Sequence, residues 1–145
     1  MQFKRLNDDD YCMGLAFMAS IKSKDAKIAL FFDSNKVIHL CPNREPIVMD
    51  TDNDAFRISS ETYLFSNLKI NNPNGVLYLT YTPDLQSMLF VVNCLVKKVV
   101  YYETETVNNE TEQLCTGANI ILQKYEGNLY WLKDYIYLMQ QSDIF

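Results

Sequence analysis

The chain has 145 residues, of which 48% are apolar, with a formal net charge of −5 and an isoelectric point near 4.8. Its length and apolar content suit one domain (1–145) with a buried core and argue against intrinsic disorder. The acidic balance argues against a general nucleic-acid binder, whose affinity rests on Lys and Arg neutralising phosphates, but leaves the binding of a single nucleotide open.

The first predicted element is a helix. Asp8, Asp9 and Asp10 offer caps and charge that complements the helix dipole at its start. Leu15, Met18 and Ile21, with Tyr11 and Phe17 nearby, give it an apolar stripe. Two short strands, 27–32 and 36–41, flank a turn at Asp33, Ser34 and Asn35. The polar stretch 42–57 reads as a loop, and a second helix is expected from Ser59 to about Leu68. Asn71 to Gly75 is a loop signal. Residues 76–81 form a buried strand, and Thr82 is expected to cap a third helix with Pro83 at its first position, running to about Val96. A strand at 98–102 and a polar linker follow. The next helix is expected to run to about Tyr125 and end at Gly127, before a last strand at 129–132 and a helical tail from Asp134. Alternating elements imply a sheet sandwiched by helices, and the opening hairpin makes that sheet mixed.

No apolar run approaches the ~20 residues of a membrane helix. No basic start followed by an apolar stretch marks a secretory leader. Cys12, Cys41, Cys94 and Cys115 form no C-x-x-C pair and read as buried, reduced thiols. A cytoplasmic protein is expected. The wealth of Asn, Lys, Ile and Tyr suits an AT-rich genome, such as that of a virus or phage.

The stretch from Tyr11 to Asp25 resembles the opening helix, and the Ser-Lys-Asp turn after it, of the cytidine deaminase-like family, in its deoxycytidylate deaminase branch. Residues 58–67 align with the family helix that opens on H-x-E. Residues 76–102 align with the strand, P-C-x-x-C helix and strand that follow. Gly127 resembles the family's last helix-to-strand turn. The resemblance implies a three-layer α/β/α cytidine deaminase-like fold with a five-stranded mixed sheet.

The departures are chemical. Glu61 and Pro83 keep the frame, but Ser59 stands at the histidine position, and Asp84 and Ser87 at the two cysteine positions. In the family those three ligands hold a zinc ion that activates water, and the glutamate moves protons. Serine is a poor zinc ligand, and only Asp84 among the replacements is a reasonable one. Tyr63 stands where the branch carries asparagine. No metal and no cofactor are expected. Ser59 and Thr82 are expected to cap the two facing helices, with Glu61 and Asp84 offsetting their dipoles as a structural polar cluster.

Other residues are weighed on their own chemistry. Asn43 falls where the family contacts the nucleotide sugar, and also suits a plain turn. His39 reads as an edge-strand residue. Cys94 reads as core, and Tyr101 and Tyr102 as sheet residues. Tyr130, Trp131, Tyr135, Tyr137 and Phe145 read as C-terminal packing or as a partner surface.

The expected function is that of a catalytically inactive pseudoenzyme acting by protein–protein interaction, as a homo-oligomer, regulatory protein or non-catalytic subunit. One alternative is a nucleotide-binding pseudoenzyme that senses or sequesters a cytidine or deoxycytidine nucleotide. Another is an active deaminase with unusual metal ligands.

Overall fold

A five-stranded mixed sheet, ordered β2-β1-β3-β4-β5, organises the chain. The structure, a computed structural model, describes residues 7–20, 27–33, 36–42, 75–94, 96–129 and 132. The elements are α1 (Asp8–Ser20), β1 (Ile28–Phe32), β2 (Ile38–Pro42), β3 (Val76–Leu79), α2 (Leu85–Val91), β4 (Lys98–Tyr101), α3 (Asn109–Gly117) and β5 (Ile121–Lys124). A short 3-10 turn, Val92–Cys94, follows α2. Strand β1 runs antiparallel to both β2 and β3, with Leu30 opposite Leu40 and Tyr78. Strands β3, β4 and β5 run parallel, with Tyr78 opposite Val100 and Val100 opposite Gln123. Parallel neighbours need crossover connections, which α2 and α3 supply.

Helices cover both faces of the sheet. On one face Ile28, Leu30, Tyr78 and Val100 pack with Cys12, Met13 and Ala16 of α1 and with Tyr125. On the other, Ala29, Phe31, Leu77, Leu79, Val99 and Tyr101 pack with Met88 and Val91 of α2 and Cys115 of α3. Burial on both sides explains why β1 and β3 read as continuous apolar runs. Fully burying one such side chain stabilises by about 1.5–3 kcal/mol, so a one-residue slip of β3 that re-sorted Leu77, Tyr78 and Leu79 between faces would be costly.

Several expectations are corrected. Asn7 caps α1: its Oδ1 accepts from Asp10 N at 2.7 Å, which leaves the acidic triplet free for other contacts. The fully buried side chains of α1 are Cys12, Met13 and Ala16, with Leu15 and Phe17 of the expected stripe only partly buried against the same core, and Tyr11 is exposed. The β1–β2 turn closes between Asp33 and Val37, with Lys36 left-handed at φ 62°. Helix α2 begins at Leu85 with Asp84 as its cap, not with Thr82 and Pro83. Cys94 is only half-buried, at the end of the 3-10 turn.

The largest correction lies at the last strand. Helix α3 stops at Gly117, and Asn119 turns the chain with φ 57°, a left-handed conformation that asparagine tolerates. That turn feeds β5 at Ile121–Lys124, inside the span expected to be helix. Leu129 is not in a strand, and Leu132 N–H turns back to Leu129 O at 2.9 Å. Tyr125 follows β5 and donates a backbone hydrogen bond to Tyr101 O.

Candidate functional site

The carboxyl ends of the parallel strands β3 and β4 form one rim of the sheet, the usual place for a site in an open α/β sheet. From β3 the chain runs through Thr80, Tyr81, Thr82, Pro83 and Asp84 into α2. Thr80 is tied to the start of β1: its hydroxyl accepts from Ile28 N at 2.9 Å, and its own N–H donates to Ile28 O at 3.2 Å. The Lys27 ammonium lies 5.6 Å from the centroid of the Tyr81 ring, a cation–π contact beside the same rim.

Thr82 ties this rim to the segment after β4. Its hydroxyl donates to Glu105 O at 2.8 Å and accepts from Thr104 N at 2.9 Å and Glu105 N at 3.0 Å. Its backbone N–H donates to the Thr104 hydroxyl at 3.2 Å. Thr82 therefore joins the α2 entrance to the segment after β4, rather than capping the helix. Nothing local in the sequence marks this role, because Thr82 and its acceptor Glu105 lie 23 residues apart.

Asp84 Oδ1 accepts from Ser87 N at 2.7 Å, and Asp84 O accepts from Met88 N, which together open α2. The Asp84 side chain is exposed at the helix entrance. Ser87 is only 5% exposed, and among the described residues its hydroxyl has no hydrogen-bond partner. A buried hydroxyl of this kind needs a hydrogen-bond partner. Asp84 and Ser87 thus meet at one helix start, through the Asp84 carboxylate and the Ser87 backbone N–H. Ser59, Glu61, Tyr63 and Asn43 lie outside the described residues, as do Tyr130, Trp131, Tyr135, Tyr137 and Phe145.

Among the described residues, those at the start of α2 do not fit a zinc ion. Tight zinc sites take thiolate, imidazole or carboxylate donors. Here one carboxylate oxygen already serves the helix cap, and its neighbour is a neutral hydroxyl. Among the described residues no group of three or more His, Cys, Asp or Glu side chains could hold a metal. His39 stands on β2, an edge strand, with Nε2 3.0 Å from Asp33 Oδ2. Asp33 follows β1, at the end of the sheet opposite Asp84.

Several thiols and phenols around the core are held toward their neutral forms. Burial, then Asp8 and Asp9, pushes the Cys12 thiol up to about 12, against a hydrogen bond with Tyr78 that lowers it. Burial raises the Cys94 and Cys115 thiols. Burial, then Glu103, Glu112 and Glu126, raises the Tyr101 phenol. Reactivity needs a depressed thiol, so none of these cysteines is poised as a nucleophile.

No family model and no curated protein matches the chain in sequence. Solved structures do match in shape. The apo dCMP deaminase from the cyanophage S-TIM5 is 18% identical, with a TM-score of 0.68 over 84% of this chain and 100% of that one. NE0047 in complex with 2,6-diaminopurine is 12% identical, with a TM-score of 0.59 over 98% of this chain and 86% of that one. A structure from work on tRNA:A34 deaminases is 11% identical, with a TM-score of 0.56 over 87% of this chain and 98% of that one. With a β2-β1-β3-β4-β5 mixed sheet covered on both faces, the chain has the cytidine deaminase-like fold.

Proposed function

We propose that the protein is a catalytically inactive member of the deoxycytidylate deaminase branch that acts by protein–protein interaction, as a homo-oligomer or as a regulatory, non-catalytic subunit. The observation that carries this reading is the donor set at the start of α2. Metal-assisted deamination needs two thiolates there, and the chain offers a helix-capping Asp84 and the neutral Ser87. The outward face of α2 supports a binding role, because Leu89 is 50% and Phe90 36% exposed. Neighbouring apolar side chains left in water favour a contact that desolvates them. On this reading Glu61 serves capping electrostatics, and Tyr130, Trp131, Tyr135, Tyr137 and Phe145 are further residues proposed for partner contact. A viral, cytoplasmic setting is part of this reading, the viral part resting on the Asn-, Lys-, Ile- and Tyr-rich composition.

Three measurements on the purified protein test this. Metal analysis should find well under one zinc per chain, and a dCMP deamination assay should show no turnover. Light scattering, or capture from source cells, should find a defined oligomer or one stoichiometric partner. Zinc near one per chain together with turnover would overturn the reading in favour of an active deaminase with unusual ligands.

A second reading is a nucleotide-binding pseudoenzyme that senses or sequesters a deoxycytidine nucleotide. The buried Ser87 hydroxyl at the rim, without a hydrogen-bond partner among the described residues, favours it, with Asn43 as the expected sugar contact. Calorimetry against a nucleotide panel separates the two: saturable binding of dCMP, lost in Ser87→Ala, supports the second, and no heat with any nucleotide supports the first.

A further inference from the structure

Residues 102–107 cross from β4 toward α3 along the rim that carries Asp84 and Ser87. The two ends of this segment are anchored. Tyr102 N–H donates to Leu79 O at 2.9 Å, and the Tyr102 ring meets Phe17 edge-on at 5.0 Å. Val107 is buried in the core, and Asn108 next to it caps α3. Between those anchors residues 103–106 are exposed. Among the described residues, two things hold this middle stretch. One is the exposed Glu103–Lys124 pair at 3.7 Å, a kind of contact worth little. The other is the pairing of Thr82 with Thr104 and Glu105.

A single buried hydroxyl therefore sets the position of the strap. Thr82 is 5% exposed, and its hydroxyl oxygen takes part in four of the five hydrogen bonds that join it to Thr104 and Glu105. Pro83 follows at once, buried and with its φ locked, and it also restricts the backbone of Thr82. Asp84 comes next, with its carboxylate on Ser87 N. The link from latch to helix cap is three residues long and stiff in the middle.

We propose that Thr82 is a conformational latch coupling the strap at 102–107 to the first turn of α2, so that displacing the strap and loosening the Asp84–Ser87 cap are one event. A partner or ligand that lifts the strap thereby reshapes the rim around Ser87, and one that engages the α2 entrance moves the strap. The coupling holds for a protein partner and for a nucleotide alike.

Amide hydrogen exchange followed by NMR tests it. In Thr82→Val, which keeps the shape and deletes the hydroxyl, the amides of Thr104, Glu105 and Ser87 should all exchange faster by about tenfold or more. The amides of Leu79 and Val100 should hold their wild-type protection, and Thr82→Ser, which retains the oxygen, should restore all three. Acceleration of Thr104 and Glu105 with Ser87 unchanged would overturn the coupling, as would a uniform acceleration that includes Leu79 and Val100. The wild type supplies a readout independent of any variant. Under mild denaturant its Thr104, Glu105 and Ser87 amides should open with one free energy and one denaturant slope, and separate slopes would also overturn the proposal.

Discussion

Tyr78, in the middle of β3, donates its phenolic hydrogen to Asp9 Oδ1 of α1 at 2.7 Å, across 69 residues of sequence. Tyr125, after β5, donates likewise to Asp10 Oδ1. The acidic triplet at the start of α1 is thus more than a dipole-matching device. Two of its members dock the helix onto the sheet by side-chain bonds, while Asn7 does the capping. Burial, followed by the hydrogen bond to its aspartate, raises the phenol of each tyrosine.

Tyr78→Phe should destabilise the protein by about 1.5–3 kcal/mol, because it leaves a part-buried carboxylate without its donor. Chemical denaturation of Tyr78→Phe, Asp9→Asn and the double variant measures this. A double variant that loses no less than the sum of the singles would show that the two groups do not act as a pair.

Glycines 127 and 117 should respond in opposite ways. A Cβ on Gly127 would run into Asp10 Oδ1 and the Tyr125 ring, so Gly127→Ala should cost about 1–3 kcal/mol. A Cβ on Gly117, the last residue of α3, meets nothing within 4 Å and its φ is negative, so Gly117→Ala should add about 0.4–1 kcal/mol. Thermal or urea melts of the two variants check the contrast.

Alkaline pH should unfold the protein through Cys12. The thiol ionises near 9.0 in an unfolded chain and is held up to about 12 in the fold, chiefly by burial and then by Asp8 and Asp9. The folded state therefore keeps a proton that the unfolded state releases. The stabilisation is fully present below pH 9.0 and drains away as pH climbs toward about 12. Tyr78, raised as well, pulls the same way. Denaturant midpoints between pH 7 and pH 10.5 should fall for the wild type and fall less steeply for Cys12→Ala.

Asp84→Ala should cost about 0.5–2 kcal/mol by removing the α2 cap, while Asp84→Asn, an equally good cap, should cost little. Equal losses in the two variants would assign Asp84 a charge-dependent role beyond capping.

Much of the architecture was legible in the chain. Apolar runs at 28–32 and 76–79, a turn near Asp33, and Thr-Pro-Asp ahead of Leu85 sufficed for the opening hairpin, the buried third strand and the existence of α2. Each of those signals is local: burial on both faces demands continuous apolar residues, and a helix start demands a side-chain acceptor. The order of elements then restricted the sheet to a mixed one. That Asp84 and Ser87 carry no thiol was equally plain, since their identities hold whatever the fold.

Tertiary structure decided the rest. Strand β5 is exposed at both ends, Ile121 and Lys124, and alternates weakly because it sits at the sheet edge, so only its pairing with β4 separates it from the helix before it. The split between Asp84 as cap and Thr82 as latch was hidden for the same reason. Both residue types cap helices well, and the choice fell to whichever hydroxyl met a partner 23 residues further along the chain. Asp9 and Asp10 likewise acquired their roles from tyrosines 69 and 115 residues away. Local rules name the groups a polar residue is able to satisfy, and the packing of distant segments selects the one it does.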